Sequence, residues 1–323
     1  MTKCLGCGAV LQNEDESKEG YTLDLKNKFC NRCFRITHYN EYIKNDKDNQ
    51  EYLKKIEEIS NTKDLAVITV DLLNLFDLDN LKIQNPVIIA FTKKDLLPKS
   101  FHENKFLNKF KTNLNVKDIL FVSSKNNYNM DELYNSILKY KVSNNVYLIG
   151  LTNSGKSSLI NKMLKNYSQN DSDITVSNLP STTLDFLSKE VNENLNLIDT
   201  PGLLDEGNIV FNYHNLNKII PKKKINPIIY QIKRDQSIIL EDILRIDIKS
   251  GNDVIIYMSN NLEIKRLYKE NDYLSHLKKN QIKINSNYDL VIKGLGFIKF
   301  KNECEITLWL DEKVKYYTRK SII

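Results

Sequence analysis

Gly150-Leu-Thr-Asn-Ser-Gly155-Lys156-Ser157 fits the phosphate-loop spacing G-x-x-x-x-G-K-[ST]. Gly150 and Gly155 let backbone N–H groups converge on phosphate oxygens, and a helix opening at Lys156 adds the positive end of its dipole. Lys156 offers a point charge to the β- and γ-phosphates, and Ser157 a hydroxyl to Mg²⁺. Asn153, Ser154 and Ser158 lie in or beside the same cradle and complete the expected phosphate contacts. Asp199-Thr-Pro-Gly202 fits a γ-phosphate sensor, with Asp199 holding Mg²⁺ through a water and the Gly202 N–H reaching the phosphate. Pro180-Ser-Thr182-Thr183 lies between these segments. Thr183 is the expected Mg²⁺ ligand there, with Thr182 as the alternative.

Two further segments have the chemistry to read a purine. In Thr92-Lys93-Lys94-Asp95, the Asp95 carboxylate can accept both N1–H and N2–H₂ of guanine, which adenine cannot offer. The Lys93 stem can pack on the base plane. Val122-Ser123-Ser124-Lys125 would supply backbone donors to the base oxygen and cover the ring. A T-K-x-D string arises readily in a lysine-rich chain, so the weight rests on four segments occurring together. An ATP-dependent enzyme would instead require Asp95 to be irrelevant to base choice.

Cys4-Leu-Gly-Cys7 and Cys30-Asn-Arg-Cys33 form two C-x2-C knuckles. Four thiolates at this spacing can surround Zn²⁺ tetrahedrally, leaving no open position. Two disulfides are the alternative, disfavoured in a reducing cytoplasm. The fifth cysteine, Cys304, sits in an apolar alternating stretch and reads as a small buried side chain.

These groups need a scaffold to hold them. Leu65–Val70, Pro86–Phe91, Asp118–Val122, Val146–Ile149 and Leu195–Ile198 are short apolar runs, and each expected site segment begins where one of them ends. Helices are expected over 130–140, opened by a capping box at Asn129-Met-Asp-Glu132, and over 156–165. Leu133, Ile137 and Leu138 would share the buried face of the first of these. The alternation implies an α/β domain with a mostly parallel sheet, helices on both faces and ligands at the strands' carboxyl ends. The two base-reading segments precede the phosphate loop, whereas a chain of ordinary order would place them after it. The expected fold is therefore a circularly permuted P-loop GTPase domain over 45–220, opened by a polar linker at 44–51. A zinc module over 1–44 precedes it, and an α+β or β-rich domain over 221–323 follows. In that last part strands are expected at Asn226–Gln231, Asp253–Met258, Gln281–Ile284, Leu290–Ile292 and Glu305–Leu310, bent at Gly294 and Gly296.

Composition is 41% hydrophobic and 27% charged, with no apolar run near the ~18 residues of a membrane helix. No secretory h-region opens the chain, so cytoplasm is the expected location, with no membrane partner. Residues 206–323 carry 21 Lys+Arg against 14 Asp+Glu, while the rest carries 26 against 27. The positive excess thus lies in the C-terminal third, where a polyanion is favoured. Lys222, Lys223, Lys224, Lys313, Lys315, Arg319 and Lys320 are candidate phosphate contacts, and Tyr316 and Tyr317 candidate base-stacking groups.

The chain resembles the YqeH-like family of circularly permuted GTPases over nearly its whole length. Cys4-x2-Cys7-Gly-Ala-x-Leu-Gln12 and Cys30-x-Arg-Cys33-Phe-Arg-x-x-His38-Tyr-Asn40 are similar to that family's zinc module. Lys93-x-Asp95-Leu-Leu-Pro-Lys99 resembles its guanine segment, and Tyr230-Gln231, Leu244-Arg245-x-Asp247 and Gly294-Leu-Gly296 its C-terminal domain. The resemblance implies GTP and GDP as ligands, Mg²⁺ and Zn²⁺ as metals, slow intrinsic hydrolysis, and a role in assembling the small (30S) ribosomal subunit on its rRNA, with no DNA partner. Asn153 matches the residue that holds K⁺ in potassium-activated relatives. Leu203 stands where signalling GTPases keep a water-positioning Gln. Thr92 stands in place of the family's Asn, an exchange expected to remove one hydrogen bond to guanine, about 1 kcal/mol. Ser181 replaces a Gly and Ser124 a common Ala. A zinc-containing RNA-binding scaffold that keeps GTP as a structural ligand is the other function considered.

Overall fold

The computed structural model describes residues 2–4, 9–16, 18–31, 33–34, 49–168, 186–203, 205, 207–213, 215–249, 251–268 and 271–323. Cys7, His38, Pro180, Ser181, Thr182, Thr183 and His214 lie outside the described residues. The chain divides into two compact units, Met1–Asp95 with Lys111–Asp205, and Leu96–Phe110 with Glu206–Ile323. No described helix is long and apolar enough to cross a membrane.

In the first unit, six strands form one sheet: β1 (Ala66–Asp71), β2 (Val87–Thr92), β3 (Val116–Phe121), β4 (Asn145–Gly150), β5 (Leu187–Asn192) and β6 (Leu195–Asp199). Their spatial order is β3-β2-β1-β4-β6-β5. All neighbours are parallel except β5, which runs antiparallel to β6 at the edge. Val67-Ile-Thr-Val70 and Val87-Ile-Ile89 are β-branched runs buried on both sides, as a covered parallel sheet requires.

The order reverses between β1 and β4. Strands leave this seam in opposite directions, which makes it a topological switch point with a crevice at the carboxyl ends. Across it Ala66 pairs with Tyr147 and Thr69 with Gly150, so residues some eighty positions apart in the chain lie side by side.

Helices α1 (Asn49–Thr62), α3 (Met130–Tyr140) and α4 (Lys156–Tyr167) accompany this sheet. Leu133 and Ile137 of α3 and Leu159, Ile160 and Met163 of α4 pack with Val67, Ile88, Val146 and Leu148 in one core. Three expectations change here. Helix α1 begins at Asn49, inside the stretch read as a polar linker. Leu138 is 37% exposed, because it lies a further 100° round α3 from Ile137. No capping box opens α3: Asn129 adopts φ 51° and makes no side-chain cap. Its Nδ2 instead donates to the Phe121 carbonyl at 3.0 Å, tying the helix start to the end of β3.

The second unit is built on two five-stranded antiparallel sheets. The first has the order β16-β13-β14-β10-β7, from β7 (Ile228–Ile232), β10 (Asn252–Met258), β13 (Tyr288–Ile292), β14 (Gly296–Phe300) and β16 (Tyr316–Lys320). The second has the order β11-β8-β9-β15-β12, from β8 (Gln236–Leu240), β9 (Leu244–Ile248), β11 (Ile264–Leu267), β12 (Lys278–Ile284) and β15 (Cys304–Leu310). Gly294 and Gly296 do not bend one strand. They bracket a hairpin, with Ile292 paired directly to Gly296. Helix α2 (Glu103–Leu107) belongs to this unit, where the Leu96 carbonyl accepts from the Ile225 N–H at 2.9 Å. Cys304 is half-buried, and burial pushes its thiol pKa up.

Candidate functional site

The phosphate loop leaves β4 at Gly150 and enters α4 at Lys156. Gly155 caps that helix at φ 97°, a left-handed conformation that L side chains rarely adopt. Asn153 takes φ 66°, so the loop turns twice through positive φ within three residues. Successive N–H groups in such a turn form a concave nest for an anion. Lys156 is buried, its Nζ donating to the carbonyls of Gly150 at 3.0 Å and Leu151 at 3.2 Å. Burial pulls its pKa down to about 8, against the opposing pull of Asp199. A phosphate would restore the missing counter-charge.

Ser157 Oγ lies 3.1 Å from Asp199 Oδ2, so the two groups expected around Mg²⁺ come together from the start of α4 and the end of β6. The hard oxygen donors of this pair fit Mg²⁺. Just beyond, the sensor segment is laced to the phosphate loop. The Leu203 N–H donates to the Gly150 carbonyl at 3.2 Å, and the Leu203 carbonyl accepts from the Thr152 N–H at 2.8 Å and its hydroxyl at 3.0 Å. Gly202 is pressed so close that a Cβ there would stand 2.8 Å from Thr152 Oγ1.

Thr92 ends β2 with its side chain turned to the phosphate loop. Its buried hydroxyl donates to the Ser154 carbonyl at 2.6 Å and approaches the Val70 carbonyl at 3.2 Å. The expected missing guanine contact is thus a bond to the phosphate loop, because the short Thr side chain at this strand end reaches the loop backbone. Ser154 turns inward as well, its hydroxyl 2.7 Å from that of Thr69. Asp95 is held by Ser123 Oγ, which donates to Asp95 Oδ1 at 2.7 Å. Lys93 adopts φ 58°, and its Nζ sits 2.8 Å from Asp71 Oδ2, which anchors the head and leaves the stem to cover a ring. Ser124 and Lys125 lie in the loop after β3 and Ser158 in the first turn of α4, and all three are partly or fully exposed.

Four positioning residues were absent from the sequence reading: Thr69, Asp71, Asn74 and Asp205. Asn74 Nδ2 donates to Asp205 Oδ2 at 2.7 Å, both side chains being buried. Asp71 alone carried a usable signal, since it ends the strand bordering the switch point.

At the amino end, the sulfur atoms of Cys4, Cys30 and Cys33 lie within 4.8 Å of one another, all buried. The Cys30 N–H donates to Cys4 Sγ at 3.2 Å and the Cys33 N–H to Cys30 Sγ at 3.5 Å, contacts that favour thiolates. A tetrahedral ion with metal–sulfur bonds of about 2.3 Å fits such a cluster.

Strand order, switch-point crevice and phosphate loop define a circularly permuted P-loop GTPase. Two family models match the chain, one described as a 50S ribosome-binding GTPase over residues 145–287 and one as an RsgA GTPase over residues 69–207. An uncharacterized protein YqeH of Bacillus subtilis is 28% identical, over 99% of each chain. NO-associated protein 1 of Arabidopsis thaliana is 29% identical over 52% of this chain and 36% of its own. GTPase Der of Mycoplasma mycoides is 31% identical over 43% of this chain and 34% of its own. The chain therefore spans the whole of the first of these relatives and about a third of the other two. Its likeness to YqeH runs along the chain, and with the two matched GTPase models it marks the protein as a GTPase, one that binds and hydrolyses GTP.

Proposed function

We propose that this GTPase acts in assembly of the small (30S) ribosomal subunit, binding rRNA or the precursor particle and timing its own release by hydrolysis. The observation that carries a single guanine-nucleotide site is the 2.6 Å bond from Thr92 to Ser154, which ties a base-reading segment to the phosphate loop across 62 residues. On this reading Asp95 selects guanine, with Lys93, Ser124 and Lys125 around the ring and Ser123 and Thr92 behind it. Gly150, Asn153, Ser154, Gly155, Lys156 and Ser158 cradle the phosphates. Ser157, Thr183 and Asp199 hold Mg²⁺, which when bound supplies charge to the phosphate oxygens, and the Gly202 N–H addresses the γ-phosphate. Leu203 cannot orient water, so turnover is slow; K⁺ at Asn153 is proposed to supply further positive charge. Cys4, Cys7, Cys30 and Cys33 would hold Zn²⁺ in a module over 1–44, with the permuted domain over 45–220 and an RNA- or ribosome-binding domain over 221–323. The cytoplasm is the proposed location.

Multiple-turnover hydrolysis compared with Lys156→Ala separates an enzyme from a scaffold that merely stores GTP. Asp95→Asn should shift nucleotide preference from guanine toward xanthine. Single-turnover rates should be higher in K⁺ than in Na⁺ buffer, and equal rates would remove the proposed role of Asn153. For the partner, the chain locked with a non-hydrolysable GTP analogue should co-sediment with small-subunit particles and dissociate with GDP. Large subunits are the control, since one matched family's description names the 50S subunit. Equal sedimentation with both would refute the assembly reading.

A further inference from the structure

Strand β7 is one of the two outer strands of one sheet in the second unit, and β11 one of the two outer strands of the other. Side chains on and beside these two edges form a ladder of alternating aromatic and cationic planes. The Arg266 guanidinium carbon stands 4.6 Å from the Tyr230 ring centre and 5.3 Å from that of Tyr268. Arg234 in turn stands 4.6 Å from the Tyr268 ring. The order is Tyr230, Arg266, Tyr268, Arg234.

Tyr230 and Arg266 are half-buried, and Arg266 is fixed. Arg266 Nε donates to Gln236 Oε1 at 2.7 Å, and an η nitrogen lies 3.5 Å from the Gln231 carbonyl, so the guanidinium plane is set before any ligand arrives. Tyr268 and Arg234 are different. Tyr268 keeps 47% of its surface exposed, and Arg234 is exposed and makes no ion pair among the described residues. Around them, residues 228–236 and 263–268 carry Lys233, Arg234, Lys265 and Arg266 against Asp235 and Glu263. Glu263 is already matched by Lys265 at 3.2 Å. What remains is net positive charge beside an exposed ring.

We propose that this ladder is a docking surface for unpaired RNA, with a base stacked at Tyr268 and Arg234 and the adjoining phosphates neutralised by Arg234 and Lys233. It rests on the RNA-binding part of the proposed function and names the surface that carries it. Flat π faces and guanidinium planes suit bases, which stack on aromatic and arginine side chains without a need for sequence. A duplex keeps its bases stacked inside and offers none to Tyr268, so the ladder selects single strands. An acidic peptide would use the cations but would gain little from the ring.

The test measures binding of the full chain to a fluorescent uridine oligomer, an RNA hairpin stem and a polyglutamate peptide over a salt series. Wild type should prefer the unpaired oligomer. Tyr268→Ala should weaken that binding about tenfold, the scale of one base–aromatic stack, while Tyr268→Phe keeps it. Arg234→Ala should weaken it too and lower the slope of log K against log salt by about one. GDP affinity of each variant should stay at the wild-type value, which shows that the chain is folded. Wild-type oligomer binding by Tyr268→Ala and Arg234→Ala would overturn the ladder while leaving the assembly reading to the particle sedimentation above. So would variants that lose polyglutamate but not the oligomer, which would mark the surface as a protein site.

Discussion

Thr92 shows how one side chain can take over a task in an altered way. Its hydroxyl closes the buried gap between the end of β2 and the phosphate loop through the Ser154 carbonyl. Thr92→Val keeps the shape and removes the donor, leaving a buried acceptor unsatisfied, a loss of about 1–3 kcal/mol. GDP affinity, read by fluorescent-nucleotide titration, should fall about tenfold or more, with guanine preference intact. Lys156 carries a second expectation. With its pKa drawn to about 8, the free lysine is partly neutral above that pH, and a bound phosphate favours the charged form. Calorimetry at about pH 9 in buffers of different ionisation enthalpy should therefore detect proton uptake on GDP binding. Groups proposed to touch the nucleotide were legible in the sequence because phosphate and guanine would fix their type and spacing. Thr69, Asn74 and Asp205 were not, because their partners lie 85, 131 and 131 residues away and no local pattern announces such pairs; Asp71, 22 residues from its partner, was marked only by its place at a strand end beside the switch point.

At the scale of elements, strands β1, β2, β4 and β6 stood out as short apolar runs because both faces are covered. Helices α3 and α4 followed from their periodic faces. Strand β5, Leu-Ser-Lys-Glu-Val-Asn, was not read, since an edge strand half open to water carries charges that mask its alternation. The same holds for β11 and β16, each the outer strand of a sheet. Within the second unit, β9 presents Arg245 and Asp247 on one face. Asp247 accepts from Arg245 Nε at 2.6 Å, Ser237 Oγ at 2.6 Å and Trp309 Nε1 at 2.9 Å. Burial alone would raise its pKa, yet these donors outweigh burial and hold it below the ordinary 3.8. A carboxylate with a depressed folded pKa stabilises the fold above its unfolded value, and that stability fades as pH falls through the folded value. Trp309 is the chain's single tryptophan. Its fluorescence should report loss of this unit's packing below about pH 4, and Asp247→Asn should flatten that acid dependence.

At the scale of the whole molecule, the backbone passes from one unit to the other directly after Asp95, returns at Lys111, and leaves again after Asp205. Two of these crossings closely follow a segment proposed to read the nucleotide. Leu97, Phe101 and Phe106 are buried, and their segment is counted with the second unit. A fragment ending at residue 205 would strip that segment of its own unit. It should bind GDP more weakly than the full chain and expose apolar surface to a hydrophobic dye; a fragment with full affinity and no dye signal would disprove this dependence. Hydrogen exchange over 96–110 should likewise slow when GDP is added to the intact protein.

The seam between β1 and β4 also sets an order of events during synthesis. A growing chain delivers β1, β2 and β3 first, with the centre of their sheet still lacking its partner strand. Only when β4 and then β6 emerge can the crevice close around a ligand, so a nascent polypeptide shorter than about 200 residues has no means of retaining GTP. The emergence of β6 thus becomes the earliest moment at which nucleotide can help hold the newborn fold together.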